Sequence, residues 1–273
     1  MKYSSSGILV VLGMHRSGTS LISNLIANAG LNLGKELLVA QDNPYGHFED
    51  KEILQFHKDL LLSRGHSLSG LDLTVYEPFD FDEFEEKKAL ELLNDRKSYY
   101  HGKVWGWKDP RTVLFINEWK RLEPSLKSLI IFRHYSEVVN SLYKRDYVGT
   151  VYPTKNILKR VLWFLKFNVM AYWLKNKYLK QWILYNEYIL KYAQKNKESC
   201  LVFESKQFIG QTKHAINLLN ERFELSLMSS NLEGVYDDKY FSRDKSGRIY
   251  SEKLINEAEV LLESLRQLTR EYK

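Results

Sequence analysis

The stretch ILVVLGMHRSGTS, residues 8–20, decides the fold of this 273-residue chain. Its first five residues are apolar and predict a buried strand, which leads into a glycine-containing turn. The next helix is predicted to begin near Gly18 and to bury an apolar face between Leu21 and Ile26. Such a junction is an anion site, because unpaired backbone N–H groups and the helix dipole converge there. The alternative is an ordinary turn that needs glycine for a positive φ.

The loop itself has the spacing of a nucleotide phosphate loop, G-x4-G-K-[ST], with one difference. Gly13, Gly18 and Ser20 fit the pattern, but Thr19 stands where the lysine is expected. A cation, Arg16, lies earlier in the loop. The combination of glycines, hydroxyls and one arginine favours an anion-binding loop over the ordinary turn.

The composition narrows the classes of function. Hydrophobic residues make up 44% of the chain, enough for a full core, and no linker or repeat divides it, which predicts a single domain over residues 1–273. The formal charge of +6 suits an anionic partner, but lysines alternate with acidic residues, so we expect no nucleic-acid partner. The single cysteine, Cys200, excludes an internal disulfide. With no secretory signal and no apolar run long enough to be a transmembrane segment, we expect a cytoplasmic protein, with peripheral membrane contact left open.

Three further apolar segments predict strands at residues 104–107, 126–132 and 199–203. Helical patterns are predicted near residues 53–61, 84–96, 112–122, 136–144 and 212–222. Strands that alternate with helices predict an α/β fold: a three-layer, doubly wound parallel sheet with phosphate-loop topology and added helices.

An aromatic-rich helical insertion is predicted at about residues 147–196. Aromatic residues at helical spacing favour packing between helices. A wall that stacks on an acceptor sugar is the alternative, and both interpretations can hold for different residues.

Polar clusters follow three of the predicted strands, at residues 14–20, 108–111 and 133–141. Ligands of parallel sheets bind at the carboxyl ends of the strands. We therefore expect the three clusters to form one site.

This ordered set of motifs resembles the sulfotransferase family. Residues 13–20 are similar to the family's 5′-phosphosulfate loop, and Arg133 followed eight residues later by Ser141 is similar to its 3′-phosphate motif. Residues 43–49 (NPYGHFE) and 107–111 (WKDPR) look like the bacterial branch of the family. The resemblance covers residues 8–145 well and the remainder weakly.

The resemblance implies 3′-phosphoadenosine-5′-phosphosulfate (PAPS) as the donor co-substrate. The residues that it assigns to donor binding are His15, Arg16, Ser17, Gly18, Thr19, Ser20, Arg133 and Ser141. Residues 240–248 match a third donor motif only loosely, so no role is assigned to Arg243. No acidic metal-binding motif stands out, and we expect no required metal.

For catalysis, the resemblance implies Glu49 as the base that deprotonates the acceptor. His47 and Asp109 are its rivals. Lys108 is assigned to stabilising charge near the transferred sulfuryl group. The alternatives are a helix N-terminal charge for Glu49 and a solvated strand-end lysine for Lys108.

The expected function is sulfuryl transfer from PAPS to a hydroxyl of a small-molecule or glycan acceptor, most plainly a carbohydrate or glycolipid. A phosphate-loop small-molecule kinase is one alternative, although it predicts the loop lysine that is missing here. A non-catalytic nucleotide- or glycan-binding module is the other. The oligomeric state is left open.

Overall fold

A computed structural model describes residues 7–38, 48–77, 79–153, 155–228 and 250–271. Its strands are β1 (Gly7–Leu12), β2 (Asn32–Leu33), β3 (Val104–Gly106), β4 (Lys127–Phe132) and β5 (Cys200–Glu204). They form one five-stranded sheet of order β2-β3-β1-β4-β5, and every adjacent pair is parallel. Strand β1 is therefore central, with β3 on one side and β4 on the other.

Helices connect and cover the strands. They are α1 (Thr19–Asn28), α2 (Lys51–Ser63), α3 (Glu83–Tyr99), α4 (Thr112–Leu122), α5 (Tyr135–Val151), α6 (Ile157–Lys195), α7 (Ser205–Gly210), α8 (Thr212–Phe223) and α9 (Glu252–Arg270). A 3-10 turn, Lys197–Ser199, precedes β5. Helix α1 packs against β1, β2 and α7, while α6 packs against α4, α5 and α9. The predicted α/β class, a parallel sheet flanked by helices, is confirmed.

The central strands are buried on both faces, as a helix-covered parallel sheet requires. Leu9, Val10, Val11 and Leu12 of β1 have no exposed surface, and the same holds for residues 129–132 of β4. This continuous burial explains why an apolar run, rather than an alternating pattern, marked these strands in the sequence.

Two glycines let the backbone approach closely around β1. A Cβ atom on Gly106 would lie 1.7 Å from the carbonyl oxygen of Leu9. A Cβ atom on Gly13 would lie 2.3 Å from the carbonyl oxygen of Ile131. A larger residue at either position would push strands apart, so Gly13 serves the sheet as well as the loop that follows it.

Several boundaries differ from the sequence-based prediction. The second predicted strand ends at Gly106, one residue early, and helix α5 continues to Val151. The two-residue edge strand β2 and the helices α7 and α9 were not predicted. The aromatic-rich region contains one 39-residue helix, α6, that spans most of it.

The two halves of α6 differ in burial. Its C-terminal half places Tyr178, Trp182 and Tyr185 in the core, which confirms the packing interpretation for that half. Its N-terminal half buries Phe167 but exposes 48% of Phe164 and 57% of Trp173, so packing does not account for those two side chains. Among the described helices, none has the length and apolarity needed to cross a bilayer.

Candidate active site

The loop between β1 and α1 leaves the start of the helix open. Gly18 is the N-cap residue in the left-handed region (φ 93°), and no side chain caps the helix. Arg16 is also left-handed (φ 68°), and the loop closes through Ser17 N–H donating to the carbonyl of Met14 at 3.2 Å. The N–H groups of the first helical turn are therefore available to an anion.

Two hydroxyl groups beside this loop are buried without a hydrogen bond in the described part of the chain. They are Oγ of Ser17 and Oγ of Ser205, the first residue of α7. Ser205 lies against the loop: its Cβ is 3.3 Å from the position that a Cβ on Gly18 would take. Buried hydroxyls are normally satisfied, so these two fit a bound polar ligand that completes the loop. Ser205 was not among the predicted site residues, although it follows a strand end as the others do.

The structure brings the two predicted donor motifs together. Arg16 Nε donates to Ser141 Oγ on α5 at 2.9 Å. These residues are 125 positions apart, and they meet because β1 and β4 are neighbours in the sheet.

Arg133 follows β4 and is buried. Its Nε donates to Glu137 Oε2 at 2.5 Å, and Lys206 contacts the other oxygen of the same carboxylate. Burial opposes ionisation of Glu137, but the hydrogen bonds from Lys206 and Arg133 lower its pKa. Two cations thus contact one carboxylate, one helical turn before Ser141 on α5.

Glu49 and Lys108, the predicted catalytic residues, form a buried ion pair. Lys108 Nζ donates to Glu49 Oε1 at 2.8 Å, and Lys108 is 1% exposed. Lys108 lies two residues after the end of β3 and forms an isolated parallel bridge with Val11 of β1. The pair therefore lies at the carboxyl end of the central strands, beside the phosphate-loop-like turn.

Glu49 is held in place by the backbone on both sides. Phe48 before it is left-handed (φ 53°), and the carbonyl of Glu49 accepts from Leu38 N–H at 2.9 Å. Asp50 after it caps α2 by accepting from the N–H groups of residues 52 and 53. Asp50 is also bound by Arg96 in a buried ion pair of 2.7 Å, which fixes the start of α2 to α3.

Asp109 lies next to Lys108 in sequence but in a different environment. Its Oδ2 accepts from His57 Nδ1 at 2.8 Å, and its Oδ1 accepts from the backbone N–H and the guanidinium of Arg111. The indole N–H of Trp119 donates to His57 Nε2 at 2.9 Å, which places the imidazole proton on Nδ1. Burial opposes ionisation of Asp109, but Arg111 and His57 hold its pKa well below the usual range.

His15 of the loop contacts the opposite wall of the site. Its Nε2 donates to the carbonyl of Ser69 at 3.0 Å, and its ring meets Tyr185 of α6 edge-on with centroids 6.3 Å apart. Burial, and then the charge of Arg111, lower the pKa of His15 to about 3. His15 is therefore neutral at physiological pH.

Some predictions fall on residues outside the described ranges. They are His47, residues 43–46 and the segment around Arg243. Within the described ranges, no group of three or more His, Cys, Asp or Glu side chains is arranged to hold a metal ion.

Comparison with solved structures shows which fold the chain has. No protein-family model matches the chain, and no curated protein matches it in sequence. Among solved structures, the chain is similar to the sulfotransferase domain of the Synechococcus PCC 7002 olefin synthase, with a TM-score of 0.52 and 14% identity. That match covers 100% of this chain and 96% of the other.

Two further solved structures agree. The sulfotransferase domain from the curacin biosynthetic pathway matches with a TM-score of 0.50 and 11% identity, over 97% of each chain. The sulfotransferase STF9 from Mycobacterium avium matches with a TM-score of 0.50 and 12% identity, over 98% of this chain and 76% of that one. The chain has the sulfotransferase fold. The similarity in fold covers 97–100% of this chain.

Proposed function

We propose that this protein is a sulfotransferase that moves a sulfuryl group from PAPS to a hydroxyl of an acceptor. The observation that carries the proposal is the hydrogen bond between Arg16 and Ser141, which joins two basic, hydroxyl-bearing strand ends. A donor with phosphate groups at its 5′ and 3′ positions needs two such sites side by side. The buried pair of Glu49 and Lys108 adds reactive groups at the third strand end.

The residues of the loop fit the 5′ end of the donor. The uncapped amides of residues 18–20 and the unsatisfied hydroxyls of Ser17 and Ser205 offer hydrogen bonds to phosphate oxygens. His15 belongs to this loop and is neutral, so it adds no charge. Its hydrogen bond to the carbonyl of Ser69 fixes the position of its ring. Thr19 takes the position of the absent lysine, and Arg16 supplies the cation.

The second strand end fits the 3′-phosphate. Arg16 donates to Ser141, and Arg133 and Lys206 both contact Glu137, one helical turn earlier on α5. Guanidinium groups form charge-assisted hydrogen bonds to phosphate. Glu137 holds Arg133 in position through its Nε.

Glu49 is proposed as the base and Lys108 as the cation that stabilises developing charge. PAPS supplies the sulfuryl group: its S–O bond to the 5′-phosphate breaks as a new S–O bond to the acceptor oxygen forms. The acceptor proton passes to Glu49, and the donor leaves as 3′-phosphoadenosine-5′-phosphate. Positioning and electrostatics dominate such group transfers. Asp109 is a poor base by comparison, since both of its oxygens are occupied and its pKa is lowered.

The proposed acceptor is a carbohydrate or glycolipid, and a cytoplasmic location belongs to the same proposal. Support for the acceptor class comes from the similarity of the short motifs to the bacterial branch of the family. It does not come from Tyr185, which borders His15 but is buried in the core. A phenolic acceptor is the alternative to be tested beside it.

Calorimetric titration tests the donor. We expect 3′-phosphoadenosine-5′-phosphate to bind without metal and ATP with magnesium to bind poorly. Arg16→Ala and Ser141→Ala weaken binding of the bisphosphate, the arginine change by about 1.5–3 kcal/mol. Arg270→Ala, which removes an exposed arginine of α9, is the matched control and leaves affinity unchanged.

The contrary result is tight binding of ATP with magnesium and none of the bisphosphate, which would favour the kinase. Turnover is then followed as bisphosphate release from PAPS with p-nitrophenyl glycosides and with p-nitrophenol. Loss of turnover in Glu49→Gln with retained donor binding would count against the binding module. Donor binding by the wild type without turnover on any acceptor would favour it.

A further inference from the structure

The N-terminal half of α6 presents an apolar stripe to solvent. Leu158, Leu162, Leu165, Val169 and Trp173 follow one another at helical spacing, so they share one face of the helix. They are 78%, 65%, 54%, 84% and 57% exposed, respectively. These five exposed side chains form one continuous apolar patch, and contiguous apolar surface of this kind marks an interaction site.

The opposite face of the same helix is attached to the fold. Phe167 is buried there, its carbonyl accepts from Tyr143 Oη of α5 at 3.1 Å, and its ring meets that of Tyr147 edge-on. The orientation of the exposed stripe, which we call the α6 stripe, is therefore fixed by packing against α5.

The charged residues of the segment that carries the α6 stripe are of one sign. Residues 147–186 contain seven lysine and arginine residues and no aspartate or glutamate. The whole chain has a formal charge of +6, so this segment carries the positive charge and the remainder is close to neutral. The exposed basic residues are Lys155, Lys159, Arg160, Lys166, Lys177 and Lys180.

The lysines form a row along one flank of the stripe. Lys159, Lys166 and Lys177 are spaced by 7 and 11 residues, which places them on nearly the same face. Lys166 Nζ lies 4.8 Å from the ring centre of Trp163, and Lys177 Nζ lies 6.0 Å from that of Trp173. Lysine and tryptophan together suit the boundary between water and lipid, where the apolar body is buried and the polar tip stays hydrated.

We propose that the α6 stripe docks on an anionic lipid surface, with the helix lying in the plane of the interface. A helix that is apolar on one side and basic beside it has the features of interfacial binding. Acidic headgroups supply the negative charge that residues 147–186 lack within their own sequence.

A second copy of the chain is the rival occupant of this face. In a two-fold symmetric dimer, the same patch meets itself, so the lysine rows of both copies would approach one another. No acidic residue of the segment is available to pair with them. Charge therefore favours lipid over self-association.

Docking would hold the candidate active site close to the membrane. The same continuous helix reaches the site, where Trp182 Nε1 donates to the carbonyl of Arg133 at 3.0 Å. From Trp173 to Trp182 the helix rises by only about 14 Å. The docking proposal is independent of the proposed function, because it rests on the exposed face of α6 and not on the reaction.

Vesicle flotation with the full chain tests the proposal. We expect binding to phosphatidylcholine vesicles that contain phosphatidylglycerol, weaker binding at high salt, and little binding to phosphatidylcholine alone. Lys159→Gln/Lys166→Gln/Lys177→Gln lowers the partition coefficient on the order of 10- to 100-fold. Lys87→Gln/Lys103→Gln/Lys213→Gln, three exposed lysines elsewhere, is the matched control and keeps the wild-type coefficient.

A second pair of variants tests the apolar side chains. Leu158→Ser/Leu162→Ser/Val169→Ser abolishes binding, whereas Phe84→Ser/Val260→Ser, which changes apolar residues that are 74% and 71% exposed elsewhere, does not. Circular dichroism confirms folding of each variant. Because these side chains are exposed, their loss leaves the core intact.

Tryptophan fluorescence locates the contact. Trp105, Trp107, Trp119 and Trp182 are buried, so brominated lipids quench mainly Trp163 and Trp173, and Trp173→Phe removes much of the quenching. Absence of vesicle binding at low salt overturns the proposal. So does a dimer in sedimentation equilibrium that Leu158→Ser/Leu162→Ser/Val169→Ser dissociates, since the second copy is then the occupant.

Discussion

Glu49 and Asp109 are two buried carboxylates on either side of Lys108 near the end of β3, and they differ in what their oxygens contact. Asp109 accepts on both oxygens, from His57 on one and from Arg111 on the other. Glu49 accepts on Oε1 from Lys108, and within the described residues Oε2 accepts no hydrogen bond. A base needs an oxygen that can take a proton, so the first carboxylate is suited to chemistry and the second to structure.

The difference also extends to the surroundings. Asp109 belongs to a chain of buried contacts that reaches through His57 to Trp119 and through Arg111 to the carbonyl of Leu68. Such a network specifies one arrangement of the elements that it joins, here α2, α4 and the loop before Leu71. Among the described residues, the side chain of Glu49 has one hydrogen-bond partner, Lys108. From this difference we predict that mutation of Glu49 lowers the rate of turnover more than the free energy of unfolding. Mutation of Asp109 is expected to lower the free energy of unfolding more than the rate.

The largest expected effect is on turnover in Glu49→Gln. Loss of a general base lowers kcat by about 100- to 10,000-fold, or about 3–5.5 kcal/mol of activation free energy. The amide can still accept from Lys108, but the buried ammonium loses its counter-charge, so we expect the free energy of unfolding to fall by about 2–3 kcal/mol. Steady-state turnover of PAPS and denaturant titration measure the two quantities.

Glu52→Gln is a control for this change, since Glu52 lies three residues further along the chain, in α2, and its carboxylate is 62% exposed. It should retain turnover within a factor of a few. If Glu49→Gln turns over at the wild-type rate, Glu49 is only the partner of Lys108, and the assignment of the base is wrong.

Asp109→Asn is expected to have the next largest effect, on stability. An amide has one oxygen and one NH2 group, so either His57 or Arg111 would face a donor instead of an acceptor. Removing one partner from a buried charged pair costs about 3–5 kcal/mol. Chemical denaturation measures this loss.

The exposed carboxylate of Asp59, in Asp59→Asn, is the matched control and should change the unfolding free energy by less than about 0.5 kcal/mol. An unfolding free energy for Asp109→Asn close to that of the wild type would show that the network does not stabilise the fold.

Trp119→Phe makes a smaller change in the same network. It removes the indole N–H that donates to His57 Nε2 and keeps most of the aromatic contact with Phe56 and Trp107. An unsatisfied buried acceptor costs about 1–3 kcal/mol. Nitrogen-15 NMR of His57 gives the direct readout: the Nδ1–H tautomer is dominant in the wild type and less so in the variant. Equal tautomer populations in the two proteins would contradict the role given to Trp119.

The central sheet could be predicted from the sequence because its strands are continuous apolar runs closed by polar motifs. The edge strand β2 could not, since its two residues carry no periodicity of their own and form a strand only by pairing with β3. Helix α9 had a readable signal that we did not use: Leu254, Ala258, Leu261, Leu265 and Leu268 repeat at helical spacing and are buried.

The residues of the candidate site also fall into two groups: those that the sequence identifies and those that only the fold brings together. The motif residues Arg16 and Ser141 were found because they stand at strand ends, but their contact depends on the order of β1 and β4 in the sheet. His57 and Trp119 carry no motif, and their pairing with Asp109 requires three separate elements to converge. Ser205 could have been found, since it directly follows β5 just as the predicted clusters follow their strands.

The smallest expected effect concerns pH, and it tests whether the folded state holds His15 neutral. Burial and Arg111 lower the pKa of His15 to about 3, from 6.5 in the unfolded chain. Between these values the unfolded state binds a proton that the folded state does not, so stability decreases as pH falls below about 6.5. We expect a loss of about 1 kcal/mol for the first pH unit, and His15→Gln should remove that part of the slope. Denaturant midpoints measured from neutral to mildly acidic pH provide the comparison. Identical pH dependence in both proteins would show that His15 is not held neutral in the folded state.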